Sequence, residues 1–295
     1  MKNQEFYDKP KIGVIILSFN NFIDTYECLQ SIIDSKTNLS IEICVIDNSP
    51  DDNIYLQLKN KFPIAHFIKT EKNLGYAHGN NIGINYFISL GVSKFVVLNN
   101  DTIVSDFFID ELIKIQKSEN SIISPLIYSY YNKNSIWSYG GYWSKIHSTY
   151  KLHTKIVNNN KVDFLSGCCI LLNENVISKI GLISEEYFMY GEDSEYSYRA
   201  KEAKISLMVS PLSIIYHKIS KSSIPNSPFH YYYLFRGRFV FIYRNFKNSK
   251  RLYSILNTLL ILIFYLFKHL LINNKISIAL IHAFIDRHTI GPGRY

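Results

Sequence analysis

The chain has 295 residues, of which 47% are hydrophobic, with 23 Tyr and 19 Phe, enough for one large α/β domain with an appendage. Its formal charge of +8 is unevenly placed: from Lys218 onward 12 Lys and Arg face the single acid Asp286, whereas the residues before carry 20 basic against 23 acidic side chains. A basic tail suits an anionic lipid surface or nucleic acid, but no zinc-ligand spacing, RNP-like motif or helix-turn-helix signal accompanies it, which speaks against nucleic acid. Residues 1–10 lack the apolar stretch of a signal peptide. Cys28, Cys44, Cys168 and Cys169 sit in apolar runs without CxxC spacing, as buried thiols of a reducing compartment do. Together these features predict a cytoplasmic protein.

Residues 12–17, Ile-Gly-Val-Ile-Ile-Leu, read as a buried strand ending at Ser18-Phe19-Asn20. A helix follows, with Asp24 as expected N-cap, Glu27 at the capping-box position and an inner stripe of Cys28, Leu29, Ile32 and Ile33. Residues 41–46 form the next strand, closed by Asp47-Asn48-Ser49-Pro50, which makes a right-handed βαβ unit. A short strand over 64–68 leads to Asn73-Leu74-Gly75-Tyr76-Ala77-His78-Gly79-Asn80-Asn81-Ile82-Gly83, where a helix start offers free N–H groups to an anion. This is not the GxGxxG fingerprint of a nicotinamide enzyme.

Lys94-Phe95-Val96-Val97-Leu98-Asn99-Asn100-Asp101-Thr102 is the stretch that organises the rest. Its apolar run reads as a strand buried on both faces, and it stops in amides and a carboxylate at the strand's carboxyl end. Ligands of open α/β sheets sit outside such ends, and oxygen donors there suit a divalent cation with phosphate completing its shell. Taken alone, Asp101-Thr102 reads equally as a turn or a helix cap. Ser18, Asp47 and Asp101 nevertheless converge on one sheet edge, which is hard to explain as three turns.

Residues 120–160 carry Tyr128, Tyr130, Tyr131, Trp137, Tyr139, Tyr142, Trp143 and Tyr150 around a turn at Gly140-Gly141. Flat aromatic faces suit sugar rings, and equally an edge hairpin packed on the core. Gly191-Glu192-Asp193-Ser194-Glu195 then opens a helix with more acids than a cap needs, and Glu195 pairs with Arg199 at i,i+4. The helix start is expected to keep Asp193 ionised, as a general base must be. Residues 205–209 and 214–218 read as two further strands. The apolar run 255–267 is about 13 residues long, against the ~20 that a spanning helix needs. Flanked by Lys247, Lys250, Arg251, Lys268 and Lys275, it reads as an interfacial anchor, with a packed or dimer-forming helix as the alternative.

These motifs, taken in order through Asp163-Phe164-Leu165-Ser166-Gly167-Cys168, Gly181-Leu182-Ile183-Ser184-Glu185 and Tyr190-Gly191-Glu192-Asp193, resemble glycosyltransferase family 2 enzymes of the GT-A fold. More narrowly, they are similar to the rhamnosyltransferase-like branch that builds bacterial cell-surface polysaccharide. The match covers residues 11–245. It implies a mixed sheet flanked by helices, with a nucleotide-sugar half at 11–105, an acceptor half at 106–245 and a basic, apolar, membrane-associating helical tail at 246–295. The resemblance makes Asp47 the carboxylate that contacts the base and places Asn81 and Gly83 in the segment closing over the nucleotide sugar. Asp101 corresponds to the last acid of a metal-binding Asp-x-Asp, and Asp193 to the catalytic base, with Glu192 as the alternative. His217 is either a structural histidine or a contact of metal and diphosphate. Residues 231–245 resemble the family's Tyr-rich, Arg-Asn segment. The chain departs from the pattern at Asn99, where an acid is common, at His78, where Gly is common, and at Ser184, where Asp is frequent.

The expectation is therefore an inverting, Mg²⁺- or Mn²⁺-dependent transfer of a hexose, rhamnose among the candidates. The donor would be a dTDP- or UDP-linked sugar, held by Ser18, Asn20, Asp47, Asn48, Gly75, Asn81, Gly83, Asn99 and Asn100, with Asp101 and His217 on the metal. The acceptor would be a lipid-linked saccharide on the inner face of the cell membrane, for O-antigen, capsule or a similar polymer. A non-catalytic sugar- or nucleotide-binding module, supported by Asn99, and a nucleotidyltransferase are the alternatives. The second predicts a basic, Gly-rich segment after the first strand, and Ser18-Phe19-Asn20-Asn21 is not one.

Overall fold

The computed structural model describes residues 11–116, 118–219, 226–270 and 272–295. Its first four strands, β1 (Lys11–Ser18), β2 (Ser40–Asp47), β3 (His66–Lys69) and β4 (Lys94–Asn99), lie parallel in the order β3-β2-β1-β4. Residues on β1 and β4 alternate between two cores. Ile15, Phe95 and Val97 face one side, and Ile12, Val14, Ile16, Val96 and Leu98 face the other. Both faces are dry because helices cover both, which is why these strands read as continuous apolar runs. Each fully buried side chain of this kind contributes about 1.5–3 kcal/mol.

α1 (Phe22–Asp34) and α2 (Asn53–Lys61) cover one face, while α3 (Tyr76–Ser89) covers the other through Ala77, Ile84 and Phe87. The cap of α1 differs from expectation. Asn21 is the N-cap, its side chain accepting from Asp24 N at 3.1 Å and donating to the Asp24 carboxylate. Asp24 and Glu27 are instead engaged by Lys218 Nζ, at 2.7 and 2.5 Å, which ties α1 to the end of a distant strand. Ile33 is 41% exposed, and Thr25 completes the inner stripe in its place. At 100° per residue Ile33 falls beyond the edge of the buried arc.

After β4 the sheet turns mixed. β5 (Thr102–Val104), α4 (Phe108–Ile115), β6 (Ser121–Ser129) and β7 (Ile136–Ser138) follow, then the separate hairpin β8 (Gly141–Ser144) and β9 (Thr149–Leu152). β10 (Cys169–Asn173) runs antiparallel beside β4 and β6, and α5 (Glu174–Ile180) and α6 (Glu192–Glu202) lie over it. The two strands expected around 205–218 are one, β11 (Ser206–His217), parallel to β6 with a register shift between Ser210 and Ile214. Pro211 lies inside that shift; without an N–H it cannot continue the ladder, so the strand bulges rather than ending. All four cysteines are buried free thiols, as expected.

α7 (Pro228–Asn245), α8 (Asn248–Leu270) and α9 (Asn274–Ile285) pack on one another through Tyr231, Tyr232, Phe235, Phe239, Leu262, Ile276 and Leu280. The chain end folds back over α7: Tyr232 Oη donates to Asp286 at 2.7 Å, and Arg294 pairs with the same carboxylate at 2.8 Å. α8 is longer than its apolar run implies, 23 residues containing an 18-residue stretch of mean hydropathy 1.5, which meets the length and composition for a membrane crossing. Its polarity is inverted. Ser254, Thr258, Leu262 and His269 are buried, while Leu252, Leu256, Leu260, Phe264 and Phe267 are exposed.

Candidate active site

The strand register places the expected residues at one sheet edge, since Ser18 pairs with Asp47 and Leu17 with Asn99. Above that edge opens a cleft of about 1320 Å³, larger than the roughly 300–1,000 Å³ of an ordinary small-molecule site. Asn48, Gly75, Asn99, Asn100, Asp101, His217, Glu192 and Asp193 all line it. A single chamber thus holds the strand-end carboxylate, the paired acids of α6 and the aromatic rings of α7 and α8.

The Asp101 end is built by β4 and β11. Thr102 pairs with His217, and Lys218 N donates to Asp101 O at 2.9 Å, which brings the two side chains together with His217 Nε2 3.1 Å from Asp101 Oδ2. His217 packs edge-on against Trp137, with centroids 4.5 Å apart, and its buried Nδ1 has no hydrogen-bond partner. Thr102 therefore begins a short strand rather than a helix cap. Asn100 lines the cleft and donates from Nδ2 to Thr25 Oγ1 at 2.9 Å.

On the nucleotide side the residues divide. Asn48 is held by Thr70, whose hydroxyl donates to its Oδ1 at 2.9 Å, and it donates to Gly75 O at 3.1 Å. Gly75 has φ +84°, and a Cβ there would stand 2.4 Å from Phe188 O, so glycine is required. Asp47 lies beneath the cleft rather than in its wall, fully buried, with Oδ1 taken by Ser49 and Oδ2 3.5 Å from Lys69 Nζ. Ser18 is buried on Thr25 Oγ1 at 3.1 Å, and Asn20 is exposed, its N–H on Ser49 Oγ; neither lines the cleft.

Asn81 and Gly83 lie deeper in the scaffold. Asn81 is buried and spends its amide on Ile183 O and Glu185, both at 2.8 Å, so it braces the loop before the acids. Gly83 is the contact of α3 on β1, where a Cβ would meet Ile15 at 2.4 Å. Both sit a turn or more inside α3, and neither lines the cleft. The α3 start is also partly spent as an anion site, because Tyr76 N donates to Phe188 O at 2.9 Å.

At the far end, Tyr190 (φ +62°) and Gly191 (φ +104°) turn the chain sharply into α6. Glu192 is buried and Asp193 only partly so. Burial, then the charge of Asp193, pushes the Glu192 carboxyl up to about 8. Burial also raises Asp193, contrary to the expectation that the helix start alone holds it ionised, while N–H groups of Ser194 (2.7 Å) and Gly167 pull it back down. Beside a Glu192 carboxyl pushed up to about 8, those N–H donors favour the negative charge on Asp193.

Trp137, Trp143 and Tyr150 line the cleft, whereas Tyr139 is buried in the main core. The aromatic segment thus contributes both to the cleft wall and to the core. Sequence reasoning missed Tyr76, whose hydroxyl donates to Gly167 O at 2.5 Å and closes the cleft floor beside Asp193. Phe188, His230 and Arg238 were likewise not singled out as site residues, and all three line the cleft. For Arg238 a signal existed: Arg236 and Arg238 are about 200° apart on a helix, so one must face out if the other packs inward.

Residues 13–181 match the protein-family model described as glycosyl transferase family 2. The low-salt glycan biosynthesis hexosyltransferase Agl10 of Haloferax volcanii is 31% identical over 205 residues, covering 68% of this chain and 66% of that protein, just under two thirds of its length. The dTDP-rhamnosyl transferase RfbF of Shigella flexneri is 23% identical over 284 residues, covering 88% and 93%. Among solved structures, GalNAc-T7 with UDP, GalNAc and Mn²⁺ superimposes with TM-score 0.58 at 16% identity over 71% of this chain and 43% of that one. The mannosyltransferase PcManGT of Pyrobaculum calidifontis, in complex with GDP-Man and Mn²⁺, gives TM-score 0.58 at 12% identity over 95% and 87%. At these identities the two structures speak for the fold, which is GT-A-like.

Proposed function

The chain belongs to glycosyl transferase family 2, and from that premise we propose that it moves a hexose or deoxyhexose from a nucleoside-diphosphate sugar to a lipid-linked saccharide. The observation that carries this reading is the single cleft, which opens to Asp101 and His217 at one part of its wall and to Asp193 at another. Its volume is sufficient for a donor and an acceptor sugar together. The rhamnosyl transferase and hexosyltransferase relatives support a hexosyl or rhamnosyl donor.

In this mechanism the acceptor hydroxyl attacks the anomeric carbon and its proton passes to the Asp193 carboxylate. The bond from that carbon to the diphosphate breaks with its electron pair on the departing oxygen. Attack opposite the leaving group inverts the anomeric centre, as the family resemblance implies. Glu192, protonated beside Asp193, spares the site a second negative charge. Tyr76 and Gly167 hold the floor on which the acceptor lies.

The residues at the strand end fit a divalent cation. Asp101 would supply a carboxylate, His217 the imidazole Nε2 beside it, and Asn99 and Asn100 amide oxygens. Among the described residues no cluster of three His, Cys, Asp or Glu occurs, so donor phosphate oxygens would complete the shell. When bound, the cation offsets negative charge on the leaving diphosphate. Transfer and hydrolysis measured over a panel of dTDP-, UDP- and GDP-sugars with Mg²⁺ or Mn²⁺ test the proposal. Turnover of one donor by the wild-type protein is expected; inertness toward the whole panel would overturn it.

The lipid-linked acceptor is supported by the inverted polarity of α8, whose apolar arc faces outward between basic residues at both ends. We place that face against an anionic bilayer on the cytoplasmic side. Packing along α7 and α9 favours a helix lying in the interface over one crossing it. Lys247, Lys250, Arg251, Lys268 and Lys275 each add about 1 kcal/mol near an anionic surface. Deleting 247–295 would strip the partners of Tyr231 and Phe239, so point changes are the cleaner probe. Replacing Leu256, Leu260 and Phe267 by Glu should abolish sedimentation with anionic vesicles and leave the melting temperature near wild type. High salt should remove only part of wild-type binding. Sedimentation by the triple variant equal to wild type would show that the face docks elsewhere.

A further inference from the structure

α7 carries two arginines with opposite fates. Arg236 is buried away from the cleft, lies against the Tyr232 and Tyr233 rings and donates from Nη2 to Gly291 O, with Nε and Nη1 unpartnered. Arg238 lines the cleft, and its Nε and Nη2 have no hydrogen-bond partner. Among the described residues no carboxylate forms an ion pair with it. Burial lowers the guanidinium to about 10, which still leaves it a cation at neutral pH. A half-buried cation with idle donors is costly unless a ligand completes it, and a guanidinium fork matches phosphate oxygens two at a time.

Its position says which phosphate. Gly237, the preceding residue, is pressed against the Tyr190 carbonyl, where a Cβ would stand 2.2 Å away, so Arg238 adjoins the turn that leads into Asp193. On its other side α8 brings Ile261, Phe264 and Tyr265 into the same cleft, while the outer arc of α8 is the exposed apolar face. Arg238 therefore stands between the point of transfer and an apolar helix. The nucleotide-side residues Asn48, Gly75 and Asn99–Asp101 belong to the strand ends and not to this helix pair.

We propose that Arg238 binds the phosphate that joins an acceptor saccharide to its lipid, with the lipid chain leaving the cleft along α8. This rests on the glycosyltransferase reading of the cleft and adds the chemical class of the acceptor's anchor. Soluble farnesyl diphosphate is a suitable probe, with farnesol, inorganic diphosphate and UDP plus Mn²⁺ as comparisons, titrated against the full chain.

The wild-type protein should bind farnesyl diphosphate more tightly than either farnesol or inorganic diphosphate. Arg238→Gln should weaken that binding about 10-fold or more, the loss expected for a charge-assisted contact, with UDP affinity retained. Arg238→Lys, which keeps the charge and loses the fork, should fall between. Unchanged farnesyl diphosphate affinity in Arg238→Gln would overturn the proposal, as would wild-type binding of farnesol or inorganic diphosphate equal to that of the probe. A parallel loss of UDP affinity in Arg238→Lys of wild-type melting temperature would also overturn it, by giving the arginine to the donor diphosphate. Should Arg238→Gln melt early, the comparison is read on Arg238→Lys alone. Because these are binding measurements, failure of the glycosyltransferase reading would show separately, as absence of donor turnover by wild-type protein.

Discussion

Asp193→Asn should lower transfer by about 10²–10⁴-fold, the range that a positioned general base supplies, while the fold and nucleotide affinity stay near wild type. The amide keeps the shape of the carboxylate and can still accept the Ser194 N–H, but it takes no proton from an attacking hydroxyl. Glu192→Gln should be far milder, because Glu192 already holds its proton at neutral pH, with its carboxyl pushed up to about 8. The sign of the pH effect follows. Activity needs Asp193 ionised, so it should fall as the pH drops through that residue's raised value, and in Glu192→Gln the fall should keep its place, because a protonated Glu192 is already neutral there. Full turnover by Asp193→Asn, with loss confined to Glu192→Gln, would exchange the two roles.

Asp101→Ala should weaken binding of UDP and dTDP by at least the ~10–100-fold that even an outer-shell metal contact is worth, and only when Mn²⁺ is present. The reason is the composition of the strand end. Asn99 and Asn100 are neutral, so Asp101 supplies the only acid of Asn99-Asn100-Asp101, beside His217 at 3.1 Å. His217→Ala should do the same to a smaller extent. Calorimetric titration of wild-type protein with and without Mn²⁺ decides the matter, since equal affinities would remove the cation from the donor site.

Much of this molecule was legible before its structure. The runs at 12–17, 41–46 and 94–98 became strands because apolar side chains on both faces of a parallel sheet leave no room for polar ones. Each ended where its sequence turned polar, so the sheet edge carrying Asp47, Asn48 and Asn99 to Asp101 was written in local composition. The Glu192-Asp193 helix start, with Glu195 and Arg199 paired at 2.8 Å, was readable in the same local way.

What only the tertiary structure decided is which polar residues face the cleft and which serve the scaffold. Asn81 and Gly83 lie in a motif-rich helix, yet one braces the Ile183–Glu185 loop and the other packs on Ile15, more than sixty residues earlier in the chain. Local pattern cannot distinguish an amide aimed at a ligand from one aimed at a backbone carbonyl, since both need the same residue type. The same holds for the tail. Composition gave α8 its apolar length, but only packing against α7 and α9 shows that Ser254 and Thr258 turn inward and Leu256 and Leu260 outward. His217, Lys218 and Arg238 acquire their meaning from neighbours far away in sequence: Asp101, then Asp24 and Glu27, then the wall of α8. Electrostatic partners and desolvation act through space, and the fold alone sets those distances.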